Sequence, residues 1–395
     1  MGGRSSFRGQ LVQIWKGLEA KARPLRRRIA SAEKRLAEIE ARQHSIESGL
    51  RSRLSELAAA SQAPTPDAVD TALRVLGEKV RDNKPQYSYF NLRLRDYEAG
   101  LLNIKNLGYE VGRALAERQL RTPQTAPSET RLKSKLCTQR DFESNWFLYW
   151  CQEIHTIPFY HRKIWEFCYI CQVLFMEGML TPGRCGLGFG CGEEPLPSLF
   201  AKYGVKVLAT DLDPSRNESE IWRVTGQHSA TVDTFRRCDI CPDEQLLANI
   251  EFRPVDMNAL PQDFDGQFDF CWSACAFEHL GSLANGLEFV QNSLRTLKPG
   301  GIAVHTTEFT FEERETLDDW PTVLYQKRHL VELAERLRAK GYQVVDFDFD
   351  PGAGIIDRLI DVPPWRHDLL MPATAHLKLS VDGFTCTSAG LVVRT

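Results

Sequence analysis

Short apolar runs separated by amphipathic stretches dominate the second half of the chain. Residues 205–211, 252–257, 268–273 and 302–306 are such runs, and each reads as a strand. A strand leads into a glycine-rich turn at residues 186–192 ahead of them. Residues 327–340 predict a helix and residues 342–347 a sixth strand, while residues 376–379 and 383–394 predict a closing antiparallel pair. Strands alternating with helices predict an α/β fold built on a doubly wound sheet.

The first half is patterned differently. Ala22, Leu25, Ile29, Ala32, Leu36, Ile39, Ile46 and Leu50 fall at alternating spacings of three and four, with Gln43 in the same register and a shift at Leu54 and Leu57. Pro24 fits the first turn of the long helix this predicts over residues 24–58. Its charged outer faces suit a coiled coil that sets an oligomeric state; packing against its own domain is the alternative. Residues 63–66 and 122–128 are polar, proline-bearing joints. Residues 67–120 read as mostly helical, interrupted at Gly100, Gly108 and Gly112.

Thr138 and Asp141 have the spacing of a capping box and open an aromatic helix carrying Phe142, Trp146, Phe147, Tyr149 and Trp150. Ile157-Pro158 ends it, and a second aromatic helix starts at residues 160–163. The expected organisation is a coiled coil at 1–62, a helical region at 63–127, an aromatic lid at 128–180 and the sheet domain at 181–395. The aromatics form either an acceptor pocket or the packing face of two helices. His161 and Arg162, at a helix start, are candidate acceptor-binding residues.

Composition narrows the class. With 395 residues, 43% hydrophobic, 26% charged and a net charge of −3, the chain is an ordinary globular protein without the basic excess of a nucleic-acid binder. The first 60 residues are basic, and Arg23, Arg26, Arg27 and Arg28 either meet an acidic surface or stay solvated. Met1 is followed by Gly2-Gly3-Arg4 with no apolar core, and no stretch is apolar enough to span a membrane. Eleven scattered cysteines suit a reducing cytoplasm. Cys168-x-x-Cys171 and Cys238-x-x-Cys241 formally suffice for zinc, but the first pair lies mid-helix among large apolar residues, so no metal is expected.

Gly188, Gly190 and Gly192 alternate, which lets a chain leave a strand, turn and approach a ligand with bare backbone. Asp211 follows 19 residues after Gly192, the distance at which a doubly wound unit places an acid on a ribose diol. Asp256 ends the next strand, Ser273 the fourth, and Lys298-Pro299-Gly300-Gly301 precedes the fifth. Over residues 181–395 this set resembles the class I S-adenosylmethionine-dependent methyltransferases. The resemblance implies a Rossmann-like, seven-stranded sheet with S-adenosyl-L-methionine as cofactor. It implies that Gly188, Gly190 and Gly192 hold the methionine end, Asp211 with Leu212 the ribose, and Asp256 with Met257 the adenine, with Ser273 lining the pocket. Gly186 stands where the family carries an acid. The segments His376-Leu377-Lys378-Leu379 and 387–391 also resemble methyltransferases of bacterial polysaccharide gene clusters.

Methyl transfer to a hydroxyl needs a base, and the fold puts acceptors beyond the C-terminal strand ends. His279 and Glu308 fall there and are the candidate catalytic residues, whereas His305, mid-strand, reads as buried structure. The leading expectation is a cytoplasmic, coiled-coil homo-oligomer that O-methylates a saccharide, glycan or related small molecule. A non-catalytic scaffold that binds the cofactor, which Gly186 favours, and methylation of a lipid or aromatic metabolite are the alternatives.

Overall fold

The structure is a computed structural model; it describes residues 80–81, 84–85, 87–119, 124–213, 231–319, 321–363, 365 and 374–395. The heptads at 24–58 and the basic cluster of Arg23, Arg26, Arg27 and Arg28 therefore lie outside the described residues. The chain divides into two compact units, residues 1–97 and residues 98–395. In the first, β1 (Val80–Arg81) and β2 (Lys84–Pro85) pair antiparallel. A helix, α1 (Tyr87–Gln119), begins there and continues into the second.

The second unit is organised by one eleven-stranded sheet. Its parallel centre is β6 (Ile250–Pro254), β5 (Lys206–Asp211), β4 (Cys185–Phe189), β7 (Phe268–Ala274) and β8 (Leu297–Thr310), in that spatial order. β15 (Phe384–Arg394) then runs antiparallel against β8, with Ser388 opposite Glu308. Beyond it lie β3 (Ser134–Leu136) and β12 (Phe347–Asp348). β11 (Gln343–Val344) and β14 (Lys378–Val381) also pair with β15, and β13 (Ile360–Asp361) pairs with β14. A separate hairpin joins β9 (Asp318–Asp319) and β10 (Thr322–Val323). Eleven strands replace the expected seven because the flanking segments contribute short strands of their own. The expected sixth strand over 342–347 is split: β11 and β12 pair with different partners.

Among the described residues seven helices accompany it: α2 (Gln139–Phe142), α3 (Asn145–Glu153), α4 (Arg162–Met176), α5 (Leu196–Lys202), α6 (Glu244–Leu247), α7 (Leu283–Ser293) and α8 (Lys327–Ala339). Strand alternation sorts them onto two faces. Phe270, Trp272, Ile302 and Val304 join a core with α3, α4 and α5; Cys271, Ala303, Leu391 and Val393 join one with α7 and α8. Both faces are covered, so the central strands read as continuous apolar runs.

Two expectations change on the helical side. The aromatic helix is two helices: Thr138 and Asp141 cap the first, and Ser144 caps the second through Phe147 N–H. Its aromatics are core, with Phe142, Phe147, Trp150, Trp165 and Tyr169 all essentially inaccessible to solvent. The three glycines do not interrupt α1. At Gly112 a Cβ would lie 2.9 Å from Ala375 Cβ, and at Gly108 2.6 Å from Leu359 Cδ1, so bare backbone there serves close packing.

Candidate functional site

Chain order makes the site. β4, β5 and β6 progress outward in one direction, and the chain then returns to lay β7 and β8 on the other side of β4. The crevice beyond the C-terminal ends of β4 and β7 is thus the switch point at which open α/β sheets bind ligands.

On the β4 side the crevice is backbone. Gly190 and Gly192 take φ of +59° and +53°. A Cβ on Gly190 would lie 2.8 Å from Ala276 Cβ and 3.4 Å from Met257 Sδ. One on Gly188 would lie 2.4 Å from both Cys191 Sγ and Trp272 Cζ2. Asp211, at the end of β5, accepts from Gly192 N–H (3.2 Å) and Leu212 N–H (2.8 Å), which joins the acid to the loop. Asp256 caps the next turn by accepting from Asn258 N–H (2.9 Å). These contacts draw Gly190, Gly192, Asp211, Leu212 and Met257 of the expected cofactor residues together. Ser273 is wholly buried, and its hydroxyl lies 2.8 Å from His305 Nδ1 on the far face. His305, whose other nitrogen meets Ser293 Oγ at 3.0 Å, is pushed down to about 3 by burial and is a neutral structural group, in keeping with its expected role.

On the β7 and β8 side the crevice is charged. β7 is followed by Cys275, held at φ +49° by N–H bonds to Thr306 O (3.0 Å) and Thr306 Oγ1 (3.1 Å). A non-glycine there costs about 1–2 kcal/mol, offset here by those bonds. The start of α4 faces it. The Arg162 guanidinium donates to Glu308, to Glu166 Oε1 (3.2 Å) and to Ser388 Oγ (3.4 Å). Lys163 Nζ donates to Ala274 O at 3.1 Å and lies 3.0 Å from Glu166 Oε2. Burial opposes the charge on Glu166, but Lys163 and Arg162 outweigh it and hold the carboxyl below its usual range. Glu278, also buried, accepts from Thr307 Oγ1 (3.1 Å) and Glu308 N–H (3.3 Å). Burial pushes its carboxyl up.

The remaining predicted residues border this cluster. His279 is half-buried, with Nδ1 2.9 Å from Pro321 O. A carbonyl can only accept, so Nδ1 carries the proton and Nε2 the lone pair. His161 caps α4 by accepting from Lys163 N–H (3.2 Å), and its ring lies 4.9 Å from that of His376. Sequence reasoning missed His376 as a site residue. Its Nδ1 meets Asp361 Oδ2 at 2.7 Å, and Asp361 also accepts from Tyr109 Oη at 2.8 Å. Glu166 and Lys163 were missed too, since helix periodicity gives no sign of which buried carboxylate meets which cation. A cavity of about 300 Å³ lined by Arg131, Lys133, Met176, Glu177 and Arg394 lies toward the other end of the strands, where Arg394 pairs with Ile302 in the first half of β8. It is remote from these groups.

Residues 166–346 match the family model described as a methyltransferase domain. Solved structures similar to the chain include a S-adenosylmethionine-dependent methyltransferase from Aquifex aeolicus (16% identity, 56% of this chain and 87% of that one, TM-score 0.31). Another is the Burkholderia thailandensis 1,6-didemethyltoxoflavin N1-methyltransferase with its substrate and S-adenosylhomocysteine (14%, 54% and 72%, TM-score 0.29). A third is Haemonchus contortus phosphoethanolamine N-methyltransferase 2 with S-adenosylmethionine (18%, 48% and 40%, TM-score 0.32). No curated protein matches the chain. The matched segment contains the glycine loop, the acids that end β5 and β6, and most of the charged cluster; residues 166–346 are a methyltransferase domain.

Proposed function

We propose that the protein methylates a hydroxyl of a saccharide or glycan precursor. The observation that carries this reading is the charged, hydrogen-bonding edge on the β7 and β8 side, Arg162 with Glu308, bordered by His161 and His279. Such an edge suits a polyhydroxylated acceptor. A lipid or an aromatic metabolite would need an apolar pocket, and the aromatic side chains of α2, α3 and α4 are spent in the core.

S-adenosylmethionine, when bound, supplies a methyl group already activated on a sulfonium. Gly188, Gly190 and Gly192 would hold its methionine end, Asp211 and Leu212 its ribose, and Asp256 and Met257 its adenine. The residues fit that ligand: side chains at Gly188 and Gly190 would collide with Cys191, Trp272 and Ala276, so the loop offers bare backbone. The protein's part is to place the acceptor and take its proton. His279, whose Nδ1 lies 2.9 Å from Pro321 O, is the candidate base. Arg162 and Glu308, locked together, would donate to and accept from neighbouring hydroxyls. We assign the heptads at 24–58 to a homo-oligomeric coiled coil in the cytoplasm, which light scattering of the full chain would check. Among the described residues no helix is long and apolar enough to cross a membrane.

The test is incubation with methyl-labelled S-adenosylmethionine and a panel of nucleotide sugars, oligosaccharides and matched amines. Label in an O-methyl sugar is expected. Label in the amines alone would overturn the assignment.

A further inference from the structure

β4 brings no side chain of its own to the loop on the face it shares with α4 and α5. At Gly186 and Gly188 the place of Cβ is taken by the rings of Phe270 and Trp272, 2.4 Å away in each case. The acid absent from Gly186 therefore could not be restored without displacing Phe270. A different carboxyl occupies this face. Glu194, two residues beyond Gly192 and only 6% exposed, accepts from Trp272 Nε1 at 2.6 Å. Lys163, whose side chain is 38% exposed, stands at the end of β7 with its Nζ fixed by Ala274 O and Glu166, close enough for its charge to favour the ionised form of Glu194.

We propose that Glu194 and Lys163 together clamp the amino-acid end of the cofactor, the carboxyl taking its ammonium and the lysine its carboxylate. The inference rests on S-adenosylmethionine as the cofactor and names residues that no motif assigns. Opposed charges about the turn of Gly188–Gly192 suit a zwitterion, and a charge-assisted bond there is directional as well as strong. The surroundings of Glu194 agree. Burial pushes it up to about 8 despite Trp272, Cys191 and Lys163, with Asp211 adding to the rise. Cys171 also lies within its field. A ligand ammonium would favour the ionised form, so binding near neutral pH should release a proton.

The experiment is calorimetric, on the full chain, in two buffers of different ionisation enthalpy at pH 7. The ligands are S-adenosylmethionine, its decarboxylated form and 5′-methylthioadenosine, which lacks the amino-acid end. Wild type should bind S-adenosylmethionine about 10- to 100-fold more tightly than methylthioadenosine and release a proton only with ligands that carry the ammonium. Glu194→Gln should lose that advantage and the proton release yet bind methylthioadenosine as before. Lys163→Met should weaken S-adenosylmethionine but leave the decarboxylated form unchanged. The wild-type comparison needs no variant to fold. Equal wild-type affinity for S-adenosylmethionine and methylthioadenosine would overturn the clamp alone, as would variants that weaken every ligand alike. Binding of neither ligand would overturn the cofactor itself.

Discussion

At the scale of single residues, His279 is oriented by an atom that can only accept. Pro321 O fixes the proton on Nδ1 and so directs the lone pair from Nε2. Glu308, the other candidate base, is tied to the Arg162 guanidinium and is better placed to hold an acceptor than to strip it. His279→Ala should therefore lower kcat by about 10²–10⁴-fold, the usual worth of a positioned base, while S-adenosylmethionine affinity measured by calorimetry stays unchanged. An unchanged kcat would return the role to Glu308 or to the His376–Asp361 pair.

At the scale of elements, helix α1 shows how packing overrides propensity. Three glycines within one helix read as interruptions, yet Gly108 and Gly112 are where Leu359 and Ala375 come closest. Gly100, by contrast, has nothing within 4 Å of its Cβ position. Gly100→Ala should stabilise the fold by about 0.5–1 kcal/mol, and Gly112→Ala should destabilise it because Ala375 cannot swing aside. Urea denaturation of both variants checks this; stabilisation by both would mean the approach at Gly112 is looser than 2.9 Å. The same contrast explains what could be read beforehand. The central strands, the glycine loop and the terminal hairpin were legible, because two-sided burial and alternating glycines leave marks along a single segment. The pairing of residues 343–344 with β15 and of 347–348 with β3 was not, because strand partners far apart in sequence leave none. Nor was the burial of Phe142, Trp150 and Trp165, since an aromatic face reads alike whether it meets a ligand or a sheet. The acid missing at Gly186 was the one hint toward Glu194, and only the rings of Phe270 and Trp272 show why the carboxyl comes from elsewhere.

At the scale of the whole molecule, buried titrating groups set how stability follows pH. His305 is held at about 3 against an ordinary 6.5, so its contribution is present above pH 6.5 and lost as pH falls toward 3. Glu194 is held at about 8 against 4.5, so its contribution is present below pH 4.5 and lost as pH rises through 8. The raised Glu278 carboxyl acts in the same sense as Glu194. Between pH 6.5 and 8 only the falling contributions remain, and stability should drop by at most about 1.4 kcal/mol per pH unit for each such group. Denaturant midpoints across that window should fall, and Glu194→Gln should remove about one group's share of the slope. An unchanged slope would mean Glu194 ionises freely in the folded protein.

The central claim is that the crevice between β4 and β7 holds S-adenosylmethionine and that the polar edge beside it receives the acceptor. Its most direct test is calorimetric titration of S-adenosylmethionine into the wild-type chain and into Asp211→Ala, with thermal melts confirming that both are folded. Micromolar binding by the wild type, weakened about tenfold or more by the substitution, is the predicted result, as expected for a lost hydrogen-bonding carboxylate. No binding to the wild type at millimolar cofactor, or equal binding by both proteins, would contradict it.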